Sequence, residues 1–199
     1  MTTATNRNLD TKYTYFAFIS YSRKDEKWAK WLQARLESYK LPTVLQKENP
    51  DLPPKITPVF RDKTDLATGT VKQALSKELE ASKYLIVICS PNAAGSSYVD
   101  YEVKSFKSLG RSEHIVPFIV EGEADANDPM RMCYTPEMLN MEDQPLGISV
   151  RQDGKRDAFL KVASALLGIR FDALKQRDAQ REKRKKRIYV GALAAFLVL

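Results

Sequence analysis

The chain has 199 residues, of which 43% are hydrophobic and 29% are charged, a composition typical of a folded globular domain. Its net charge of +7 comes mainly from residues 170–187, which hold nine Lys and Arg against three Asp and Glu. The rest of the chain is nearly neutral, so we expect no nucleic-acid partner. Only two cysteines occur, Cys89 and Cys133, which excludes a disulfide framework and a cysteine-rich zinc site.

Apolar runs alternate with amphipathic stretches along the chain, a pattern typical of strands and helices built on a parallel sheet. The predicted strands, of which the fifth has the weakest signal, are residues 15–20, 56–60, 84–89, 114–120 and 145–150. The first strand is apolar almost to its end and is predicted to be central, whereas Pro58 places the second strand at an edge or in a distorted position.

Amphipathic periodicity predicts the helices that connect these strands. They are residues 25–39, about 71–79, 97–109 and about 155–167. In the third of these helices, Ser97 and Asp100 have the spacing of a capping box. Residues 40–55 contain four prolines and are predicted to form a loop. The sequence therefore predicts an α/β, flavodoxin-like three-layer fold with a four- or five-stranded parallel sheet.

Four segments follow from these patterns. They are a disordered leader at 1–12, a domain at 13–168, a basic helical linker at 169–187, and the truncated start of a transmembrane helix at 188–199. Twelve uncharged residues are too few to span a bilayer, which requires about 20. Clustered Lys and Arg beside an apolar segment mark the cytoplasmic side, so we expect a cytoplasmic domain anchored to the inner or plasma membrane. The alternative is a charged helix whose apolar end packs on the domain.

Polar loops follow the predicted strands, at the sheet edge where ligands bind in open parallel sheets. These loops contain no GxGxxG after the first strand, no phosphate-binding GxxxxGK[ST] and no acidic pair ending the first strand. Dinucleotide oxidoreductases, kinases and receiver domains are therefore disfavoured. The single histidine, His114, opens a strand and is interpreted as a structural or surface residue, so we expect no catalytic triad and no metal site.

Three loops in this order resemble the boxes of the Toll/interleukin receptor (TIR) domain family. The first box is matched by FAFISYSRKDEKWAKWLQARLE and the second by RDKTDLATG. SPNAAGSSYVDYE resembles the segment in which an aromatic residue precedes, by four positions, a glutamate that is catalytic in NAD-cleaving members. The resemblance covers residues 13–168. It departs from the receptor pattern because the second-box proline and the Phe-Trp third box are missing and Tyr98 replaces tryptophan, which favours a bacterial, enzyme-like branch.

The resemblance implies that Glu102 is the catalytic residue of an NAD nucleosidase, with NAD as its substrate and neither a cofactor nor a metal. The substrate-binding residues that it implies are Tyr98, Tyr21, Ser22, Arg23, Asp62, Lys63 and Leu66. A solvated glutamate near a helix start is the alternative for Glu102, and catalysis requires instead that the carboxylate lies in a cleft. Tyr98 is equally compatible with a packing role, and Arg23 with a solvated turn.

Two functions share this predicted fold. The first is cleavage of NAD into nicotinamide and ADP-ribose or a cyclic isomer, activated by self-association with other TIR domains, in signalling or defence. The second is a non-catalytic module that signals by TIR–TIR docking at a membrane. We favour the first, because a purely docking domain does not require an aromatic residue and a carboxylate that converge on the cleft.

Overall fold

The computed structural model describes residues 12–61 and 69–197, with side chains at 75–190 of the second range. The predicted leader, apart from Lys12, lies outside the described residues. So do three predicted site residues, Asp62, Lys63 and Leu66.

The architecture is a five-stranded parallel sheet in the order β2-β1-β3-β4-β5, with helices on both faces. The strands are β1 Tyr15–Ser20, β2 Val59–Arg61, β3 Ser82–Cys89, β4 Ile115–Ile119 and β5 Ile148–Ser149. The helices are α1 Glu26–Ser38, α2 Thr43–Glu48, α3 Gly69–Glu80, α4 Pro91–Ala94, α5 Ser97–Ser108, α6 Pro136–Leu139, α7 Val150–Leu167 and α8 Phe171–Leu197. This confirms the flavodoxin-like fold, with β1 in the interior of the sheet and β2 at its edge.

The core lies on both faces of the sheet because successive side chains of a strand point to opposite faces. Along β3, Ile86 and Ile88 pack into one apolar cluster, whereas Leu85 and Val87 pack into the other. Helices α1 and α7 cover the first face, and α3 and α5 cover the second. Strands buried on both faces read as unbroken apolar runs, which is why the central strands are easy to find in the sequence.

We predicted from the four prolines that residues 40–55 form a loop, and this prediction is only partly correct. A short helix, α2, fits between Pro42 and Pro50 because Pro42 immediately precedes the helix and Pro50 follows its end. Proline breaks a helix only from inside it, and it is compatible with positions at the ends.

Helix α5 begins at Ser97 as predicted, but the residue that caps it differs from the prediction. Ser96, and not Ser97, caps the helix, since its Oγ accepts the backbone N–H of Val99 at 3.3 Å. The carboxylate of Asp100 accepts the backbone N–H of Glu137 at 2.8 Å, a contact that joins α5 to α6. The predicted capping box is therefore wrong, because its acidic residue has a tertiary partner.

The first half of α8 packs on the domain. Leu174 is fully buried, and the carboxylate of Asp178 accepts hydrogen bonds from the hydroxyl of Tyr39 at 3.2 Å and the guanidinium of Arg156 at 2.8 Å. Burial, followed by the negative charge of Asp178, raises the pKa of Tyr39, so its hydroxyl stays protonated and donates. We call residues 171–182 the docked half of α8.

Beyond the docked half, α8 continues into solvent, and residues 183–190 are exposed. The helix contains residues 171–187 of the predicted basic linker and residues 188–197 of the predicted membrane segment. The division between these two segments at residue 187 stays a prediction. Among the described residues, no helix combines the length and the apolar character needed to cross a membrane.

Candidate active site

The strand order places a crevice between β1 and β3. The chain leaves β1 toward β2 on one side, and it continues from β3 toward β4 and β5 on the other. In open parallel sheets, the loops that diverge at such a switch point leave a crevice at the carboxyl ends of the strands, and ligands bind there. Ser20 ends β1, and Ser90 follows the end of β3, so both lie at this edge.

Glu102 lies at this switch point and is buried. Its side chain projects from α5, the residue as a whole is only 4% exposed, and its Oε2 accepts a hydrogen bond from the Oγ of Ser20, which is 1% exposed. Glutamate is seldom buried, because removing a carboxylate from water is costly unless hydrogen bonds compensate. The solvated glutamate that we considered as the alternative does not describe this residue.

A small pocket adjoins Glu102 between α3 and α5. Its lining residues are Leu75, Ser76, Leu79, Tyr98, Tyr101 and Glu102. The pocket has about 10 Å³ of free volume, which is room for about one water molecule. The side chains described here thus place an aromatic residue, Tyr98, and a carboxylate together, as the sequence predicted, but in a pocket too small for a nucleotide.

A second polar contact ties the turn after β1 to the start of α4. Asp25, at the end of the 3-10 turn Arg23–Asp25, is 6% exposed and accepts hydrogen bonds from Ser90 Oγ at 2.5 Å and Asn92 Nδ2 at 3.2 Å. The hydroxyl of Ser90 also accepts the backbone N–H of Ala93 at 3.1 Å, which caps α4. These contacts fix the shape of the crevice on its β1 side.

Arg61, the last residue of β2, orients Tyr21. Its guanidinium donates to the hydroxyl of Tyr21 at 3.0 Å and to Oε1 of Gln33 at 3.0 Å, and only 8% of the residue is exposed. Tyr21 is therefore held by the strand that leads into the second-box loop. Of the other predicted residues, Ser22 begins the 3-10 turn and is partly buried, and Arg23 is exposed on that turn.

Sequence reasoning missed four residues that organise this edge: Ser20, Asp25, Arg61 and Ser90. Ser20 could have been identified from the sequence, since it is the serine of the Ser-Tyr pair that ends the first-box strand. No sequence pattern identifies the other three, because their partners are distant in sequence; Ser90 and Asp25, for example, are 65 positions apart.

Neither cysteine chemistry nor a metal has support at this edge. Burial raises the pKa of the Cys133 thiol to about 12, and burial, with Cys133 nearby, also raises the pKa of Cys89. A nucleophilic cysteine needs a lowered pKa, so both thiols are inert core residues. Within residues 12–61 and 69–197, no group of three His, Cys, Asp or Glu residues is arranged to hold a metal ion.

Comparison with known families agrees with this architecture. A family model described as the TIR domain matches residues 17–159, which is most of the chain. The chain belongs to the TIR domain family. The resemblance found in three sequence motifs is therefore confirmed, and Glu102 lies within the matched residues of this TIR domain.

Two individual proteins are similar to this TIR domain. The NAD(+) hydrolase ApTIR of Actinoplanes sp. is 28% identical to it over 166 residues, a match that covers 73% of this chain and 23% of that protein. This chain thus spans less than a quarter of that relative. The TIR domains in the structure of the activated Roq1 resistosome directly recognizing the pathogen effector XopQ are 16% identical, with a TM-score of 0.48, over 76% of this chain and 98% of that chain.

Proposed function

We propose that this TIR domain is an NAD nucleosidase that hydrolyses NAD to nicotinamide and ADP-ribose, or to a cyclic isomer of ADP-ribose, in signalling or defence. The observation that carries the proposal is the buried carboxylate of Glu102, held by Ser20 at the switch point of the sheet. The similarity to a protein named NAD(+) hydrolase supports the same reaction.

The proposed reaction needs one carboxylate. Breaking the bond between nicotinamide and ribose passes through an oxocarbenium-like state, as in glycoside hydrolysis, and nicotinamide leaves as a neutral molecule that requires no proton. Glu102 stabilises the positive charge that develops on the ribose and holds its hydroxyl groups, an electrostatic effect on the order of several kcal/mol in a site with little water. Water then adds to the anomeric carbon and loses a proton, or a nitrogen of the adenine ring attacks and closes the cyclic product.

The other predicted residues have supporting roles in this proposal. Tyr98 forms an aromatic wall beside Glu102, and Tyr21, Ser22 and Arg23 contact the ribose and phosphate oxygens. For Asp62, Lys63 and Leu66, which lie outside the described residues, the proposed role in substrate binding rests on the family resemblance alone.

Activation by self-association accounts for the small pocket. The pocket that the described side chains form beside Glu102 has room for about one water molecule, so in this proposal α3 and α5 separate there before the ribose of NAD reaches the carboxylate. We propose that contact with a neighbouring TIR domain favours the open arrangement, which makes the site competent only in the assembly.

The rate per chain is therefore expected to rise with protein concentration. Nicotinamide release from NAD is measured by chromatography across a dilution series, with the oligomeric state followed by light scattering. Equal turnover per chain in monomeric and assembled protein would contradict activation by assembly and leave the reaction itself intact. No nicotinamide release from assembled protein would contradict the nucleosidase.

The alternative is a non-catalytic TIR domain that signals by docking to other TIR domains. The small size of the pocket favours this alternative, whereas the burial of Glu102 favours the enzyme.

In either case, we propose that the domain is cytoplasmic and that α8 connects it to a membrane.

We propose Ser20 as a positioning residue for Glu102. A hydrogen bond to a charged group contributes about 1.5–3 kcal/mol, so Ser20→Ala is expected to lower kcat roughly 10-fold or more and to change KM little. Ser20→Thr, which keeps the hydroxyl, is expected to restore most of the rate. Ser164→Ala is the matched control, since Ser164 is a buried serine on α7 that bonds to the carbonyl of Lys161. An unchanged kcat in Ser20→Ala would refute the positioning role.

A further inference from the structure

The exposed part of α8 carries five consecutive cations. They are Lys183, Arg184, Lys185, Lys186 and Arg187, which we call the basic collar. All five are exposed, and within the described residues only Lys185 has an acidic partner, Glu182 at 3.6 Å. The collar is therefore a concentration of positive charge on a helix that has already left the surface of the domain.

The residues that follow the collar are apolar and also exposed. Ile188, Tyr189 and Val190 are 62%, 75% and 67% exposed, and no charged residue occurs from 188 to 199. Large apolar side chains exposed next to one another mark a surface that a partner covers. A partner that accepts cations and apolar groups side by side is a bilayer with anionic headgroups, where each Lys or Arg near the surface adds to the attraction.

The distribution of charge along α8 also determines how the helix meets the bilayer. Successive residues of an α-helix are about 100° apart, so five consecutive cations surround the helix and do not form one face. A helix that lies flat at a membrane has cations on one side and apolar residues on the other. In α8, cations and apolar residues are separated along the axis, which fits a helix that enters the bilayer end-on.

We propose that the basic collar binds the anionic phospholipid headgroups of a bilayer that α8 enters end-on from Ile188. This inference rests on the proposed membrane location of the domain and is independent of its NAD chemistry. Because the docked half of α8 packs on the domain, the domain lies close to the basic collar. Arg181, which donates to the backbone carbonyl of Lys40, is seven positions before Ile188, so roughly 10 Å of helix separate the domain surface from the headgroups.

The test measures co-sedimentation of the full chain with vesicles. Binding to phosphatidylcholine vesicles that contain phosphatidylserine is expected to be at least about 10-fold tighter than binding to phosphatidylcholine alone, and to weaken with salt. Changing all five collar residues to glutamine is expected to weaken binding to the anionic vesicles at least about 100-fold. The matched control changes five exposed cations elsewhere to glutamine, with the same loss of charge: Lys27, Lys30, Lys47, Lys55 and Arg170.

The control variant is expected to bind the anionic vesicles as the wild type does. Equal binding by the wild type and the collar variant, equal binding to both kinds of vesicle, or a preference for duplex nucleic acid over anionic vesicles would each overturn the proposal. Nicotinamide release is measured on the same proteins without vesicles. Lipid binding without release would contradict the nucleosidase alone, and release without lipid binding would contradict the collar alone.

Discussion

Glu102→Gln is expected to lower the rate of nicotinamide release at least about 100-fold, equivalent to about 2.7 kcal/mol of transition-state stabilisation. Glutamine has nearly the same shape and still accepts the hydrogen bond of Ser20, but it lacks the negative charge that, in the proposed reaction, stabilises a cationic ribose. The measurement is nicotinamide release by assembled protein at saturating NAD, compared between variant and wild type.

Two controls separate a lost charge from a lost fold. Glu113→Gln is the matched substitution, because the Glu113 side chain is 70% exposed and lies before β4, at the opposite edge of the sheet from Glu102; its rate is expected to equal that of the wild type. Thermal unfolding of Glu102→Gln should fall close to that of the wild type. If a folded, assembled Glu102→Gln protein released nicotinamide at the wild-type rate, the catalytic role of Glu102 would be excluded.

Phe118→Ala is expected to cause a large loss of stability, about 3–5 kcal/mol, because it removes a fully buried ring and leaves a cavity. Phe118 is 0% exposed on β4, and its ring packs against Trp31 at 6.2 Å and Trp28 at 6.3 Å between centroids. A loss of this size is a substantial fraction of the stability of an ordinary domain. The measurement is urea unfolding followed by tryptophan fluorescence, which reports on both neighbours of the ring.

Phe118→Leu is the conservative control for this site. Leucine keeps most of the buried apolar volume, so the free energy of unfolding is expected to fall by clearly less than in Phe118→Ala. If the free energy of unfolding fell by less than about 1 kcal/mol in Phe118→Ala, the core would have repacked to fill the cavity, and these aromatic contacts would contribute little to stability.

The sequence predicted the sheet well because its strands are buried on both faces. The run from Tyr15 to Ser20 has an apolar pattern that leaves little choice of structure, and Pro58 indicated an edge strand. The sequence predicted the N-terminal cap of α5 less well, because two neighbouring serines are both suitable. Ser96 and Ser97 are both acceptable helix caps, and the choice depends on Asp100, whose partner lies 37 residues away at Glu137.

The candidate site was only partly predictable. Family resemblance pointed to Glu102 and Tyr98, but the sequence contains no sign that the glutamate is buried, since helix-surface glutamates are common. The hydrogen bond that compensates for its burial comes from Ser20, 82 positions away, and becomes visible only when β1 and α5 are brought together. The same holds for Asp25 and Arg61, which read as ordinary charged loop residues until their partners are known.

The continuity of α8 has a mechanical consequence. Because one helix of 27 residues, about 40 Å long, begins in contact with the domain and ends far beyond it, the two ends cannot turn independently. A twist applied at the far end is transmitted as a rotation of the whole domain, and a shift along the axis moves the domain by the same distance. In the assembly that we propose, the orientation of these helices would therefore set the geometry in which neighbouring domains meet.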